Sequence, residues 1–444
     1  MASSIQLFRS HIALGVLAGL TALGALVDHP ALETRLLMAT GAGGTFASAS
    51  TTIQGDYFVA TNGSDSNPGT ISQPFRTIAK GVSMLTPGKT LLVRSGTYAE
   101  SLQNTIPGGT SWSSPVTVAA YPGDTVTIEP TSQQNAQSVL MFYGASEQYI
   151  IVQGFIINAQ NVTHDAVKIT NSSSAGAASH IRITDCEVEN APQNGILTSN
   201  GAVSNEFLNL LVHNNGSTNY LYHGFYISTQ SNTVSGSTSY SNGGRGIQVY
   251  AEGSTTKCNN NVISGNKCYN NGLSGRGPGI SVASGTGIQV YNNICYGNTL
   301  GIQVDYWNPT NTRVVNNTVD GNGSDGGIYI GTVATGTLVE NNIVYNNTLV
   351  NMGISTSLAM NLVGVNPLFV NLAGHDYHLT SGSPAIDAGT ATNAPSTAFD
   401  GSTRPLVAGF DIGAYEWVPP TDTVLPTSHR VLHAAPVTPL PIGR

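Results

Sequence analysis

The sequence has few charged side chains, which make up 9% of its 444 residues. Only 16 are Lys or Arg against 24 Asp or Glu, and the net charge of -8 provides no basic surface, which argues against nucleic acid as a partner. Lys and Glu, which are common in long helices, are also sparse, whereas Gly is abundant at 51 residues. Short strands joined by tight turns are therefore expected, and the predicted class is all-β.

Cysteine is also scarce, with Cys186, Cys258, Cys268 and Cys295 in the whole chain. No CxxC pair is present, which argues against a zinc site built from thiolates. Cys268 and Cys295 occupy equivalent positions in neighbouring repeats, so they form either a disulfide between two coils or a stacked, reduced pair. The reduced pair is slightly favoured because in-register neighbours are poorly oriented for the disulfide torsion.

Only one long apolar run is present, between Ile12 and Val27, and it follows Arg9 and His11. A basic start before an apolar stretch is typical of a signal peptide, so residues 1–49 are predicted to be a signal peptide and leader. The alternative is an uncleaved membrane anchor, for which the run is short. We expect a secreted or cell-surface protein with no stable membrane insertion after cleavage.

A short phrase of the type Gly-Ile-Gln-Val recurs through the middle of the chain. Its glycines are Gly195, Gly224, Gly246, Gly279, Gly301 and Gly327. A repeat of this length holds two or three short strands and no helical period, so it cannot bury its apolar side alone. Successive repeats must therefore stack into a solenoid, and the sequence predicts a parallel β-helix.

A second phrase precedes the first in each repeat and predicts an inward-facing column. Its members are Val188, Val212, Ser239, Cys268, Cys295, Val319 and Val344. Three residues later the same alignment gives Ala191, Asn215, Asn242, Asn271, Asn298, Asn322 and Asn347. Stacked asparagine amides can bond to the equivalent amides above and below, so this column is predicted to be a structural ladder.

The two ends of the chain differ from the repeats. After Asp56-Tyr-Phe-Val comes Pro74-Phe-Arg-Thr-Ile-Ala-Lys-Gly-Val, which is predicted to be a short amphipathic helix that caps the solenoid. This N-terminal segment resembles that of secreted right-handed β-helix proteins, which include many bacterial polysaccharide lyases. Asn366-Pro-Leu-Phe-Val and Asp411-Ile-Gly-Ala-Tyr-Glu resemble the closing region of the same superfamily.

This resemblance covers roughly residues 55–417 and implies a single right-handed parallel β-helix. The expected divisions are 50–130 for the N-terminal cap and first coils, 131–365 for the coils, 366–417 for the closing region and 418–444 for a disordered Pro-rich tail. The superfamily includes lyases, epimerases, hydrolases and non-catalytic surface proteins, so the resemblance specifies the fold more closely than the reaction.

Function must be sought on outward columns, because strand alternation sends every second side chain away from the core. Two neighbouring repeats place His223, Tyr226, Arg245, Gln248 and Tyr250 within about two strand spacings. Arginine can bind a sugar carboxylate, and tyrosines stack on sugar rings, so this cluster suits a uronate subsite. A solvated polar face without a ligand is an equally good explanation of the same residues.

The predicted function is that of a polysaccharide lyase that cleaves an extended acidic polysaccharide by β-elimination. The reaction needs a cation at the uronate carboxylate, a base at C5 and an acid for the leaving oxygen. Arg245 or calcium is the candidate cation, His223 or Lys168 the base, and Tyr226 or Tyr250 the acid.

Gln303 and Asp305 extend the predicted substrate surface. A glycosidase is less well supported, because Asp305 has no facing carboxylate on the same column. The patterns of pectin hydrolases and alginate epimerases are missing from the sequence as well. The alternative to a lyase is a non-catalytic carbohydrate-binding or cell-surface protein. We expect a monomer.

Asp185, Glu187 and Glu189 are predicted to place three carboxylates on one outer face, because they alternate around Cys186 and Val188. Calcium is the candidate cofactor, since it prefers several carboxylate oxygens. The alternative, which is favoured, is a row of acids whose repulsion is relieved by solvent.

Overall fold

Short parallel strands stack into three sheets that form the sides of one solenoid. The computed structural model describes residues 54–420 apart from 173–175, 217–218, 252 and 254–256. The predicted signal segment and nearly all of the predicted tail lie outside the described residues. Within the part that is described, no helix has the length and apolar character needed to cross a membrane. The predicted all-β parallel β-helix is confirmed.

Each coil passes through sheet 1, then sheet 2, then sheet 3. The 12 strands of sheet 1 are Tyr57–Val59, Thr90–Val93, Val116–Ala120, Gln148–Gln153, Ser179–Thr184, Glu206–Leu208, Thr233–Ser235, Val262–Ser264, Gln289–Tyr291, Arg313–Val315, Leu338–Glu340 and Ser357–Ala359. The 11 strands of sheet 2 are Gly96–Tyr98, Val126–Ile128, Phe155–Asn158, Glu187–Glu189, Leu211–His213, Thr238–Tyr240, Lys267–Tyr269, Ile294–Tyr296, Thr318–Asp320, Ile343–Tyr345 and Leu362–Val363. The 10 strands of sheet 3 are Leu102–Gln103, Leu140–Phe142, Val167–Ile169, Ile196–Thr198, Phe225–Ile227, Ile247–Val249, Pro278–Thr286, Leu300–Thr310, Ile328–Ile330 and Leu349–Asn351.

A few elements lie outside the three sheets. They are the α-helix Ile78–Val82, the 3-10 helices Ser132–Gln134 and Leu372–Gly374, and two antiparallel pairs, Asn171–Ser172 with Gly176–Ala177 and Phe369–Asn371 with Asp376–Leu379. The helix is the predicted cap: it begins after Thr77, whose side chain accepts a hydrogen bond from the Lys80 amide, and it buries Ile78 and Val82. The open end of the solenoid is thereby covered.

The predicted inward column of sheet 2 is confirmed, and its members follow one another in register from Val188 to Val344. All of them are fully buried. Cys268 and Cys295 are direct neighbours in this column and are free thiols. The structure therefore contains the reduced pair, and burial raises the pKa of Cys295 well above its ordinary value.

The asparagine ladder lies at the corner between sheets 2 and 3, as predicted. Asn271 Oδ1 accepts hydrogen bonds from Asn242 N at 3.3 Å and from Asn242 Nδ2 at 2.9 Å. Asn298 Oδ1 does the same for Asn271, at 3.0 Å from each nitrogen. Each amide thus satisfies both the side chain and the backbone of the preceding coil, which would otherwise be buried without partners.

The other two corners hold ladders of the same kind, which the sequence analysis did not predict. Between sheets 3 and 1 the ladder consists of Asn205, Asn232 and Asn261. Between sheets 1 and 2 it consists of Asn266, Asn293, Asn317, Asn342 and Asn361. All three corners of the solenoid are therefore joined along its axis by side-chain amides.

The recurring glycine of sheet 3 is explained by close contact between coils. A Cβ atom on Gly246 would lie 2.6 Å from the carbonyl oxygen of Gly279 and 2.8 Å from Asn271 Nδ2. Any larger residue would therefore push apart two coils and disturb the asparagine ladder. The glycine precedes each strand because the chain passes closest to the next coil there.

The closing region folds back along the outer face of sheet 2. Tyr377 and Tyr415 pack there against Ile294 and Tyr296 in one apolar cluster. Arg404 and Glu416 form an ion pair that is completely buried beneath this region. The C-terminal segment is consequently part of the folded body up to Trp417.

Candidate functional site

The outward column of sheet 3 forms a continuous strip along the solenoid axis, which we call the sheet 3 strip. Its members follow one another in register: Lys168, Leu197, Tyr226, Gln248, Ser281, Gln303 and Tyr329. Parallel strands are spaced by about 4.8 Å, so seven strands span roughly 29 Å. Gln248 and Ser281 in its middle are buried, whereas the other members are partly exposed. The strip therefore offers an extended polymer two partly exposed stretches along one axis.

The strip separates residues that were predicted to act together. Lys168 lies three strands from Gln248, or about 14 Å by strand spacing. Gln303 lies two strands further on, and Asp305 follows it. Lys168 therefore cannot contact the same sugar ring as Arg245, which precedes the strand of Gln248. The prediction that His223, Tyr226, Arg245 and Lys168 form one catalytic centre is wrong for Lys168.

His223 does not line the surface. Its exposed fraction is 2%, and its Nδ1 accepts a hydrogen bond from the Arg245 amide at 3.1 Å. The same corner position in preceding coils is structural, since Asp165 accepts from the Asn194 amide and Asn194 accepts from the His223 amide. Burial, followed by the Arg245 charge, lowers the pKa of His223 well below its usual value. The expectation that His223 faces a sugar as a base is wrong, because the chain turns inward before each glycine.

Arg245 is 8% exposed and is surrounded by tyrosines. Its Nη1 donates to the Tyr220 carbonyl at 3.4 Å, while its Nε is buried and has no hydrogen-bond partner among the described residues. Burial lowers the pKa of Arg245, and Tyr306, Tyr226 and Tyr220 act in the opposite direction. The guanidinium therefore remains a cation with an unused donor next to the strip.

Tyr306 interacts with Arg245, and Gln248 lies in register beside Tyr226. The Oε1 atom of Gln248 is buried and has no partner within the described residues. Tyr306 is 51% exposed, and its backbone has a φ of 86°, a value that residues other than glycine rarely adopt. Trp307 follows it and is also exposed. The sequence analysis missed both residues, although the adjacent aromatic pair directly after Asp305 was a visible signal.

Tyr226 and Tyr250 lie in the two neighbouring coils as predicted. Their ring planes are nearly parallel, at 9°, with centroids 6.4 Å apart. The His223 ring packs edge-on against the Tyr226 ring, with the two centroids 5.4 Å apart. The two phenols, Arg245 and Gln248 are thus brought together by the structure.

The predicted acidic row is divided between two positions. Asp185 lies in a turn with a φ of 54°, and its carboxylate accepts hydrogen bonds from Gln153 Nε2 at 2.9 Å and Asn209 Nδ2 at 3.3 Å. Only Glu187 and Glu189 lie in the strand that follows. The prediction that all three carboxylates face one site is wrong, because the strand begins after Asp185 and alternation does not extend to it.

Glu187 and Glu189 instead face His213 on the next coil. His213 Nε2 lies 3.1 Å from Glu187 Oε1 and 4.0 Å from Glu189 Oε2. Burial first, and then the charge of Glu187, raise the pKa of Glu189. This cluster is on sheet 2 and the strip is on sheet 3, so a cation held here cannot neutralise a sugar at Arg245. The missed residue, His213, was visible as the register neighbour of Glu189 once Val188 and Val212 had been aligned.

A stack of rings continues from this cluster along sheet 2. His213, Tyr240, Tyr269 and Tyr296 lie one above the other with centroids 4.7 to 4.9 Å apart. Tyr296 then stacks on His375 of the closing region at 4.0 Å. Because the ring faces cover one another, this stack joins the coils and does not offer faces to a sugar.

A comparison with protein families identifies the family to which the coil region belongs. Residues 57–361 match the model described as "Pel9A-like, right handed beta helix region". The chain belongs to this family. The handedness expected from the sequence is thereby confirmed, as is the resemblance on which it was based.

Curated relatives of this Pel9A-like protein match over shorter segments. The uncharacterized protein YwoF of Bacillus subtilis (strain 168) is 32% identical over 133 residues, which are 30% of this chain and 28% of YwoF. Pectate lyase PEL9 of Emericella nidulans is 34% identical over 77 residues, 17% of this chain and 19% of the relative. The matched segments thus span less than a third of each of these relatives.

Solved structures share the fold. Pectate lyase Pel9A superposes with a TM-score of 0.61 at 19% identity, over 82% of this chain and 96% of that structure. A rhamnogalacturonan lyase gives a TM-score of 0.51 at 16% identity, over 72% and 91%. At these identities the similarity establishes the fold alone.

Proposed function

We propose that the protein binds an acidic polysaccharide along the sheet 3 strip and cleaves it by β-elimination. The observation that carries the proposal is the Arg245 guanidinium, which is surrounded by tyrosines and has a buried Nε without a partner in the described structure. A guanidinium binds a carboxylate through a fork of donors, and tyrosine rings pack against sugars. Relatives that are named as pectate and rhamnogalacturonan lyases support the same substrate class.

Each step of the elimination is assigned to a residue near Arg245. Arg245 binds the uronate carboxylate and stabilises the negative charge that develops beside it. A base removes the proton from C5, the electron pair forms the C4–C5 double bond, and the bond from C4 to the leaving oxygen breaks. Tyr226 is the proposed base, since its phenol lies beside the Arg245 guanidinium that would bind the carboxylate, and Tyr250 is the proposed acid for the leaving oxygen.

A non-catalytic carbohydrate-binding protein is the second candidate. The burial of His223 and the distance of Lys168 from Arg245 favour it, because neither predicted base can reach a sugar bound at Arg245 in this structure. The strip would then hold the polymer through the same arginine and tyrosines without cleaving it.

The test combines binding and turnover. Purified protein should be incubated with alginate, pectate, hyaluronan, chondroitin and gellan, and the ultraviolet absorbance of an unsaturated uronate product should be followed. Tyr226→Phe is expected to abolish the product while binding of the same polymer is retained. Turnover on none of these polymers, combined with retained binding, would establish the non-catalytic alternative.

Arg245→Ala tests the carboxylate subsite separately. It should weaken binding to acidic glycans by at least tenfold and leave binding to neutral glycans nearly unchanged, because only the charge-assisted fork is lost. Arg313→Ala is the matched control, since Arg313 is exposed on sheet 1. Equal weakening for acidic and neutral glycans would contradict the uronate hypothesis.

The proposal includes an extracellular location. It is supported by the apolar run between Ile12 and Val27, which follows Arg9 and His11 near the start of the given sequence. An acidic polysaccharide substrate outside the cell agrees with that location. N-terminal sequencing of protein recovered from culture medium would identify the cleavage site.

A further inference from the structure

The cluster of Glu187, Glu189 and His213 has the composition and the spacing of a metal site. One imidazole nitrogen and one oxygen from each carboxylate all lie within 4.8 Å of one another. Strand alternation places both glutamates on the outer face of sheet 2, and the register places His213 directly beside Glu189. Two coils therefore contribute to one cluster.

His213 is a second, independent indication of a ligand. Its side chain is only 7% exposed, yet its Nε2 points at the two carboxylates. Tyr240 stacks on the ring at 4.7 Å and holds its orientation. Its Nε2 lies 3.1 Å from Glu187 Oε1 and donates to that carboxylate when no metal is bound, while its Nδ1 has no hydrogen-bond partner in the described structure. A cation between the carboxylates would replace the Nε2 proton, the ring would carry its proton on Nδ1 instead, and the Nε2 lone pair would bind the cation.

We propose that Glu187, Glu189 and His213 bind a transition-metal cation of the zinc type. Zinc takes imidazole nitrogen and carboxylate oxygen at about 2.0 to 2.2 Å, which in a tetrahedron separates ligand atoms by roughly 3.4 Å. The observed separations of 3.1 and 4.0 Å lie on either side of this value, so small side-chain rotations complete the geometry. Three protein ligands leave a fourth position for water.

The chemistry of the cluster selects this cation over calcium. Calcium takes six to eight oxygen ligands, whereas this cluster presents one nitrogen and two carboxylates. Asp185, which would supply a further carboxylate, is hydrogen-bonded to Gln153 and Asn209 instead. The bound cation would join two coils and offset the repulsion between two neighbouring carboxylates.

The site also sits at one end of the ring stack on sheet 2. His213 is its first ring, and the stack ends on His375 of the closing region. A metal at His213 would therefore hold one end of a ring stack that crosses four coils and ends at the C-terminal segment. This role is structural and is independent of the proposed cleavage on sheet 3.

The test uses the full chain without a polyhistidine tag, treated with a chelator and then dialysed. Zinc, calcium and magnesium are added separately, while thermal unfolding and titration calorimetry measure binding. Zinc should raise the Tm, since a ligand that binds only the folded state stabilises it. His213→Gln and Glu187→Gln should each weaken zinc binding at least tenfold. Asp185→Asn is the matched control and should leave the zinc affinity unchanged.

Cobalt provides a spectroscopic readout that a purely stabilising role of His213 would not produce. Cobalt at this cluster should give visible absorption bands in the wild-type protein and in Asp185→Asn, and lose them in His213→Gln. A wild-type protein whose Tm does not respond to zinc overturns the proposal, whatever the variants do. A calcium response that depends on Asp185 would also overturn it, in favour of an oxygen-only site.

Discussion

At the scale of single residues, Glu147 is the buried acid whose environment is most easily tested. It is 3% exposed, and its Oε2 accepts hydrogen bonds from the amides of Tyr143 at 2.7 Å and Gly144 at 3.1 Å. Its Oε1 is buried and has no partner in the described residues. Burial raises the pKa of Glu147 to about 7, and the two amide bonds only partly oppose this. The carboxyl is therefore largely protonated in mildly acidic solution.

The raised pKa predicts a pH-dependent stability. The folded pKa of Glu147 exceeds its unfolded value of 4.5, so its contribution is complete below pH 4.5 and is lost as the pH rises through about 7. A shift of this size corresponds to about 3 kcal/mol. Glu147→Gln keeps an oxygen for the two amides but cannot ionise. Chemical denaturation at pH 4.5, 6 and 8 should show a smaller loss of stability for the variant than for the wild type, and equal losses would refute the assignment.

At the scale of elements, the asparagine ladder should be a main source of cohesion between coils. Asn271 accepts two hydrogen bonds from Asn242, donates two to Asn298 and donates one to the carbonyl of Ser239. Asn271→Ala leaves buried groups unpaired and should lower the free energy of unfolding by about 1 to 3 kcal/mol.

Asn366→Ala is the control for this ladder prediction, because Asn366 is exposed and makes one local bond to the Leu368 amide. Urea denaturation of both variants measures the difference. Similar losses for Asn271→Ala and Asn366→Ala would show that the ladder adds nothing beyond an ordinary turn.

The elements that repeat could be predicted from the sequence. The glycine phrase and the column from Val188 to Val344 follow from periodicity alone, since each apolar strand needs the next one to bury it. The ladders at Asn205 and Asn266 were missed because the alignment followed a single corner of the coil. In the aligned repeats, Asn232 occupies the position equivalent to Asn205, and Asn293 occupies the position equivalent to Asn266.

Positions next to a corner were predicted less well than positions within strands. Asp185 was assigned to the face of Glu187 by alternation, but its positive φ ends the pattern. His223 was assigned to the surface because it precedes a strand, whereas the chain turns inward there and uses its ring as an acceptor. Alternation describes side-chain direction only within a strand, so corners require the three-dimensional path.

At the scale of the whole molecule, the sheet 3 strip converts a sequence repeat into a spatial repeat. Lys168 and Arg245 belong to coils about 14 Å apart and present two positive charges along one axis. A long acidic polymer can contact both charges at once, whereas a short oligomer can contact only one of them. The length of the bound polymer should therefore determine which substitutions weaken its binding.

This arrangement predicts independent contributions from the two cations. For a long acidic polymer, Lys168→Ala and Arg245→Ala should each weaken binding. The double variant should lose the sum of the two binding free energies to within about 0.5 kcal/mol, because sites more than 10 Å apart without shared partners are additive. For oligomers too short to span the two coils, the affinity at each position should be lowered by only one of the two substitutions. Titration calorimetry with a series of uronate oligomers provides both measurements.

A coupling energy well above this limit would mean that Lys168 and Arg245 contact the same sugar and that the strip is not used along its length. Equal sensitivity of the shortest oligomer to both substitutions would mean the same.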